Sequence, residues 1–199
     1  MVNAVTEIVE VNCLTDSHRS KAVELVRFGF EDFYQLFDAE HERLNQAIGR
    51  QFSNKTELSD GLATSASGQL TGIACAYPRD EMSERQAAAV KLLLEVASNR
   101  PSTLLALRKF SENFAAPAPN GLYVSRVGVL PQHRGQGTAG LLLGKLEQKA
   151  LLNGQPHIQL HVRCDNRAGR CFYAAHGYVE RSSSPNTSPH HYLLLYKKL

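Results

Sequence analysis

VGVLPQHRGQGTAGLLL, residues 127–143, decides how this chain is read. A β-branched and aliphatic run ends at Pro131. Arg134 follows, then Gly135, Gly137 and Gly140, then a leucine-rich amphipathic run. That order predicts a strand, a glycine loop and a helix over 135–153. Glycine lets the chain turn tightly and brings bare backbone N–H groups close to a ligand. The first turn of the helix leaves N–H groups without partners, and the helix dipole makes that end weakly positive. Together they form an anion site, so the stretch is expected to hold a phosphate-bearing molecule.

The rest of the chain narrows the class. Its 199 residues suffice for one domain with a real core. Lys plus Arg number 22 against 19 Asp plus Glu, a formal charge of +3. That balance is too mild, and the basic residues too scattered, to argue for nucleic acid as a partner. No apolar stretch approaches the roughly 18 residues of a membrane span, so no membrane partner is expected. The opening MVNAVTEIVEVN lacks a charged segment followed by an apolar one, so no signal peptide is expected. The four cysteines, Cys13, Cys75, Cys164 and Cys171, form no C-x-x-C pair. No metal site is expected, and the thiols read as small core residues, reduced in a cytoplasmic protein.

Hydrophobic periodicity gives the element order. A strand is predicted at 6–14, then a helix at about 17–37 capped by Asp16 or Ser17, then a more polar helix at about 38–52. GLATSAS and LTGIACAYP read as a hairpin joined at Gly68-Gln69. Helices follow at 81–97 and 102–114, broken at Asn99 and Pro101, and APAPNG (116–121) is a loop. After the strand GLYVSRVGVL and the helix come the strand HIQLHVR, a short helix over 166–175, and two last strands in GYVERS and HHYLLLYKKL. No internal repeat or linker interrupts the chain. The order is that of a single mixed α/β domain over 1–199.

Three phosphate ligands compete for the glycine loop. Gly135, Gly137 and Gly140 fit the dinucleotide pattern G-x-G-x-x-G, but five residues from Leu130 to Arg134 separate the strand from the first glycine, and the pattern wants none. Asp165 is only an approximate acidic partner. A P-loop fails, because Gly144-Lys145 is followed by Leu146 and the spacing from Gly140 is one residue short. The third is the pyrophosphate of coenzyme A. From Val127 the chain reads V-x-V-x-P-x-x-R-G-x-G-x-A-x-x-L-L, which resembles motif A of the GCN5-related N-acetyltransferases (GNAT). That family's signature is Q/R-x-x-G-x-G/A. Gln132-His-Arg-Gly135-Gln-Gly137 matches it, and Arg134-Gly-Gln-Gly137-Thr-Ala139 matches again two residues on. Downstream, DNRAGRCFYAAHGY (165–178) resembles the family's second motif. The resemblance covers about 121–180 by motif and the remainder by element order.

The resemblance implies a mostly antiparallel central sheet flanked by helices, with a helical insert between the third and fourth strands. It implies an N-acetyltransferase that moves an acetyl group from acetyl-CoA to a primary amine of a small molecule or peptide, by direct attack in a ternary complex. Backbone of Val127, Gly128 and Val129, where the fourth strand splays from the fifth, would pair with the pantetheine arm. The N–H groups of Gly135, Gln136, Gly137, Thr138 and Ala139 would cradle the pyrophosphate, with Arg134 adding charge. Asn166, a residue type favoured as an N-cap, would also face the arm. Tyr173, two turns beyond Asn166, would protonate the departing thiolate. Arg167 and Arg170 are equally readable as phosphate ligands or solvated charges. Glu31, Asp32 and Tyr123 are base candidates by position alone. His161 reads as packed, and at about 3.3 Å per residue His157 is too far from it to share a metal. The acidic, aromatic stretch FEDFYQLFDAEHE (30–42) would suit a cationic amine, although most of its acids read as solvated. The insert at about 80–118 is open to three roles: a lid, a partner surface or a homodimer contact. The competing class is a coenzyme A-binding sensor or structural module without transferase activity.

Overall fold

The computed structural model describes residues 6–183 and 191–199. His190, at the start of the last predicted strand, lies outside them. Seven strands form one sheet in the order β1-β2-β3-β4-β5-β7-β6. They are β1 (Thr6–Glu10), β2 (Gly61–Ala66), β3 (Gln69–Pro78), β4 (Leu122–Val129), β5 (His157–Arg163), β6 (Val179–Ser183) and β7 (Tyr192–Lys198). Every neighbouring pair is antiparallel except β4 and β5, which are parallel. The helices are α1 (Asp16–Gly29), α2 (Glu31–Tyr34), α3 (His41–Gln51), α4 (Met82–Leu94), α5 (Arg100–Ser111), α6 (Thr138–Leu152) and α7 (Arg167–Ala175).

Strand alternation divides the interior. On β3, Ile73 and Cys75 face a core built from α1, α3 and α4, where Leu25, Ile48, Phe52 and Leu93 are buried. Ala74 and Ala76 face the other core, where Leu142, Leu143 and Leu146 of α6 pack against Val124, Ile158 and Leu160. A period of two places successive side chains on opposite faces, so a strand covered on both sides reads as a continuous apolar run. The β2–β3 turn is Ser67-Gly68, both at positive φ (51° and 73°). That is the geometry a two-residue hairpin favours, one position earlier than the predicted joint.

Other boundaries moved for local reasons. The predicted helix 17–37 is broken. α1 stops at Gly29, Phe30 leaves helical geometry (φ −141°, ψ 42°), and a short turn of helix follows before Asp38 at φ 44°. Phe30 thereby turns into a cluster with Phe33, Phe110, Phe114 and Tyr192. The cap of α1 is Thr15, which accepts from the His18 N–H, rather than Asp16 or Ser17. β1 ends at Glu10, where a helical turn begins. Of the cysteines only Cys75 is buried; Cys13 and Cys171 are exposed, so the expectation of four core thiols fails for them.

α4 and α5 stand between β3 and β4. Asn99 caps α5 by accepting from Ser102 N–H, with Pro101 in its first turn, where a missing N–H costs nothing. Buried Arg85 anchors α4. It pairs with Asp60 and Glu81 and donates to Thr56 O. Among the described residues no helix is long and apolar enough to cross a membrane. Leu143, fully buried under the sheet, tests the second core. Leu143→Ala is expected to lower the unfolding free energy by about 2–5 kcal/mol in urea denaturation, through lost burial and the cavity left behind.

Candidate active site

The parallel pair is short. β4 and β5 share three rungs, Leu122 with Ile158, Tyr123 with Gln159 and Val124 with Leu160. Past Val124 the register with β3 skips Ser125, so β4 carries a bulge there. A bulge bends its strand and ends regular pairing on the far side. β4 then continues to Val129 along β3 alone. The gap is a cavity of about 130 Å³, walled by Tyr123 and Ser125–Gly128 of β4, His161–Arg163 of β5, and Leu25, Val26 and Gly29 of α1. Asn166 and Tyr173 complete it.

The sequence places Val127 and Gly128 on this wall, and both are there; Val129 lies just beyond it. A Cβ on Gly128 would sit 3.4 Å from Leu25 Cβ, so a larger side chain would reach across the cleft to α1. Val129 O accepts from Arg134 Nε at 3.1 Å. Arg134 thus braces the loop back onto its strand, a role not foreseen. Gln136 adds a second brace, to Gln132 O.

The loop has the form the glycines predict, with the helix three residues shorter at its start. A helical turn spans Pro131–His133, and α6 begins at Thr138. Gly135 and Gly137 sit at φ 72° and 82°, where a β-carbon is strained, and nothing lies within 4 Å of where their β-carbons would be. Gly137 is the cap of α6 and supplies no capping side chain. The first helical bond runs from Leu141 N–H to Gly137 O. The N–H groups of the turn before it have no intrahelical acceptor, an arrangement that can receive an anion. Gly140 serves packing instead, since a β-carbon there would stand 2.9 Å from His176 Nε2.

Asn166 caps α7, its Oδ1 accepting from Gly169 N–H at 2.9 Å. The capping and cleft-facing readings hold together. Tyr173 packs edge-on to Phe172 and Tyr178. Desolvation pushes its phenol up to about 12, so it stays protonated across the neutral range. Arg167 and Arg170 border a different, shallow depression with Cys171 and Glu180. Arg170 also donates to Cys164 O.

Of the base candidates, only Tyr123 borders the cleft. Asp32 is held by the Tyr192 hydroxyl at 2.8 Å, and Glu31 accepts from Gln35. Glu40 spends both oxygens capping α3. The acids of 30–42 that carry bonds are therefore structural. Tyr123 pairs with His161, its Oη 3.0 Å from Nδ1, while His161 Nε2 lies 2.9 Å from Ala115 O. A carbonyl only accepts, so Nε2 carries the proton and Tyr123 donates to Nδ1. Burial lowers His161 to about 4, outweighing the opposing effect of the Ala115 bond, and raises the Tyr123 phenol well above its usual range.

Two residues that sequence reasoning left aside stand beside this pair. Arg126 binds Glu57 at 2.9 Å, both side chains nearly sealed from solvent, and its guanidinium lies 4.1 Å over the Phe30 ring. Arg126 had a visible signal, a charge inside the apolar strand YVSRVGV. Glu57 had none, standing 69 positions away.

A family model of the GNAT acetyltransferases matches residues 22–178. The chain belongs to that family. Its members are acyltransferases, and the match spans β4, the glycine loop and the Asn166–Tyr173 segment described above. An acetyltransferase of Sodalis glossinidius is 40% identical over 57 residues, 29% of this chain and 40% of that protein; the chain thus spans less than half of that relative's length. An N-acetyltransferase of Staphylococcus aureus Mu50 superposes with a TM-score of 0.66 at 15% identity, covering 89% of this chain and 94% of that one. PaiA N-acetyltransferase of Thermoplasma acidophilum, in complex with coenzyme A, gives 0.56 at 14% identity, covering 98% and 99%. At these identities the likeness is one of fold.

His161 makes a prediction. Its folded pKa lies below the ordinary 6.5, so the unfolded chain binds the proton more readily. The stability this contributes is present above pH 6.5 and is lost as pH falls through about 4. Unfolding of His161→Gln, followed by denaturant at a series of pH values, should show a shallower loss over that window than wild type.

Proposed function

We propose that this GNAT acyltransferase transfers an acetyl group from acetyl-CoA to a primary amine, within one acetyltransferase domain. The observation that carries the reading is the parting of β4 from β5 after three rungs. It opens strand backbone beside a half-buried, protonated phenol, on a chain that runs on into a helix N-terminus whose cap, Gly137, carries no side chain. A strand edge, a phosphate cradle and an acid are the three things a pantetheine thioester on a pyrophosphate needs.

On this reading, backbone of Val127 to Val129 pairs with the amides of the arm. The N–H groups of Gly135 to Ala139 take the pyrophosphate, and Arg134 keeps that loop in register. Asn166 Nδ2 is left to orient the arm, because Oδ1 is spent on the helix cap. The amine nitrogen forms its bond to the thioester carbon, and the carbon–sulfur bond breaks with its electron pair going to sulfur. Tyr173 protonates that sulfur, and the nitrogen sheds its proton to water. The desolvation that raises the phenol also raises a thiolate left beside it, so the proton passes where hydroxyl and sulfur touch.

The testing experiment is a thermal-shift comparison of acetyl-CoA, coenzyme A, NAD and NADPH. A ligand that binds the folded state alone stabilises it by about 2.7 kcal/mol at a hundredfold excess over its Kd. Stabilisation by the two coenzyme A species supports the reading; stabilisation by a dinucleotide alone would overturn it. Tyr173→Phe is expected to lower kcat about a hundredfold or more while keeping the acetyl-CoA shift. An unchanged kcat would remove the general-acid role. Binding without turnover on any amine would favour a coenzyme A-binding module instead.

A further inference from the structure

A second cavity, of about 390 Å³, adjoins the first. The two share Phe30, Phe114, Tyr123, Arg126 and His161. Its outer walls come from α4 and α5, through Val90, Leu107 and Phe110, and from the segment Ala115–Pro117. That segment is fixed from below. Gln159 bonds both the N–H and the carbonyl of Ala118, and His161 bonds the Ala115 carbonyl. The volume falls in the range of small-molecule sites, and the wall is preformed.

The carboxylate inside is already spent. Glu57 reaches this cavity, but its Oε1 is taken by Arg126. Arg79 stands at the margin, its Nε donating to Pro117 O. No uncompensated carboxylate is left in the wall to draw a second ammonium out of water. A charge placed among Phe33, Phe110 and Leu107 without a partner would bear the full cost of desolvation. The polar end of the cavity is the junction, where Tyr123 donates its hydroxyl proton to His161 and so keeps lone pairs free to accept an amine N–H.

We propose that this cavity is the acceptor site, and that the acceptor is a primary amine on an uncharged apolar body, arylalkyl or branched alkyl, rather than a diamine or polyamine. The assignment rests on the acetyl-transfer reading above and extends it. It moves the acceptor from the acids of 30–42 to the aromatic Phe30 and Phe33 of that stretch and to α4 and α5. The body packs against Val90, Leu107 and Phe110, and the amine points past Tyr123 into the cleft where Tyr173 stands.

The test is calorimetric titration of the protein, with coenzyme A present, using phenethylamine and putrescine as probes. Phenethylamine should bind about tenfold or more tightly than putrescine, whose second ammonium finds no free carboxylate in the wall. Leu107→Trp and Val90→Phe fill the cavity from two different helices. Each should weaken phenethylamine by a similar factor while leaving the coenzyme A thermal shift unchanged. Equal or tighter binding of putrescine would overturn the proposal, as would wild-type phenethylamine affinity in both folded variants. Loss of coenzyme A binding in the wild type would instead strike the acetyl-transfer reading, since amine binding is measured separately and also without coenzyme A.

Discussion

The structure turns on the disagreement between β4 and its two neighbours. On one side β3 holds it by antiparallel pairing along its length; on the other β5 holds it for three rungs only. The skipped residue, Ser125, reconciles the two, and its Oγ lies 2.6 Å from Glu57 O, outside the sheet. A strand bonded on both edges would bury its amide groups. One bonded on a single edge offers them, and a sheet interior is an uncommon place for such an edge, because an unpaired buried amide is costly. The cleft follows from that one misfit. So does the position of Arg126, which the bulge turns toward Glu57 and Phe30.

Sequence made the glycine loop legible and the second cavity opaque, for a physical reason. A glycine loop before a helix is a local device, whose parts lie within a few residues of one another and carry strong backbone preferences. Gly135 and Gly137 therefore declared themselves, and so did Asn166, whose cap serves the residue three places on. The second cavity is assembled from Glu57, Val90, Leu107, Phe114 and His161, which lie far apart in the chain and meet only in the fold. Phe30 misled for a related reason. Its apolar spacing fits a helix through residue 37, but the cluster with Phe110, Phe114 and Tyr192 wins over helical propensity once α5 is in place. His161 was discounted because strand histidines usually pack. It does pack, and its packing partner is the wall of a cavity.

The helices between β3 and β4 acquire a role from this geometry. α4 is tied to the sheet side by Arg85, whose pairing with Asp60 and Glu81 and bond to Thr56 O hold it where Val90 faces inward. α5 is tied through Phe110 to the aromatic cluster around Phe30. No residue of either helix lines the first cavity. Variation in these two helices can thus change the shape of the second cavity while leaving the lining of the first as it is.

The parallel pairing of β4 and β5 has a consequence at longer range. Parallel strands end on the same side of a sheet, and each is followed by a helix, α6 after Val129 and α7 after Arg163. Both helices therefore start at that side with their positive dipole ends, and neither carries an acidic residue in its first turn to cancel it. The two fields add over a region wider than any single hydrogen bond. A polyanion diffusing past is guided toward that rim before it makes contact, so its association rate, more than its residence time, will respond to ionic strength.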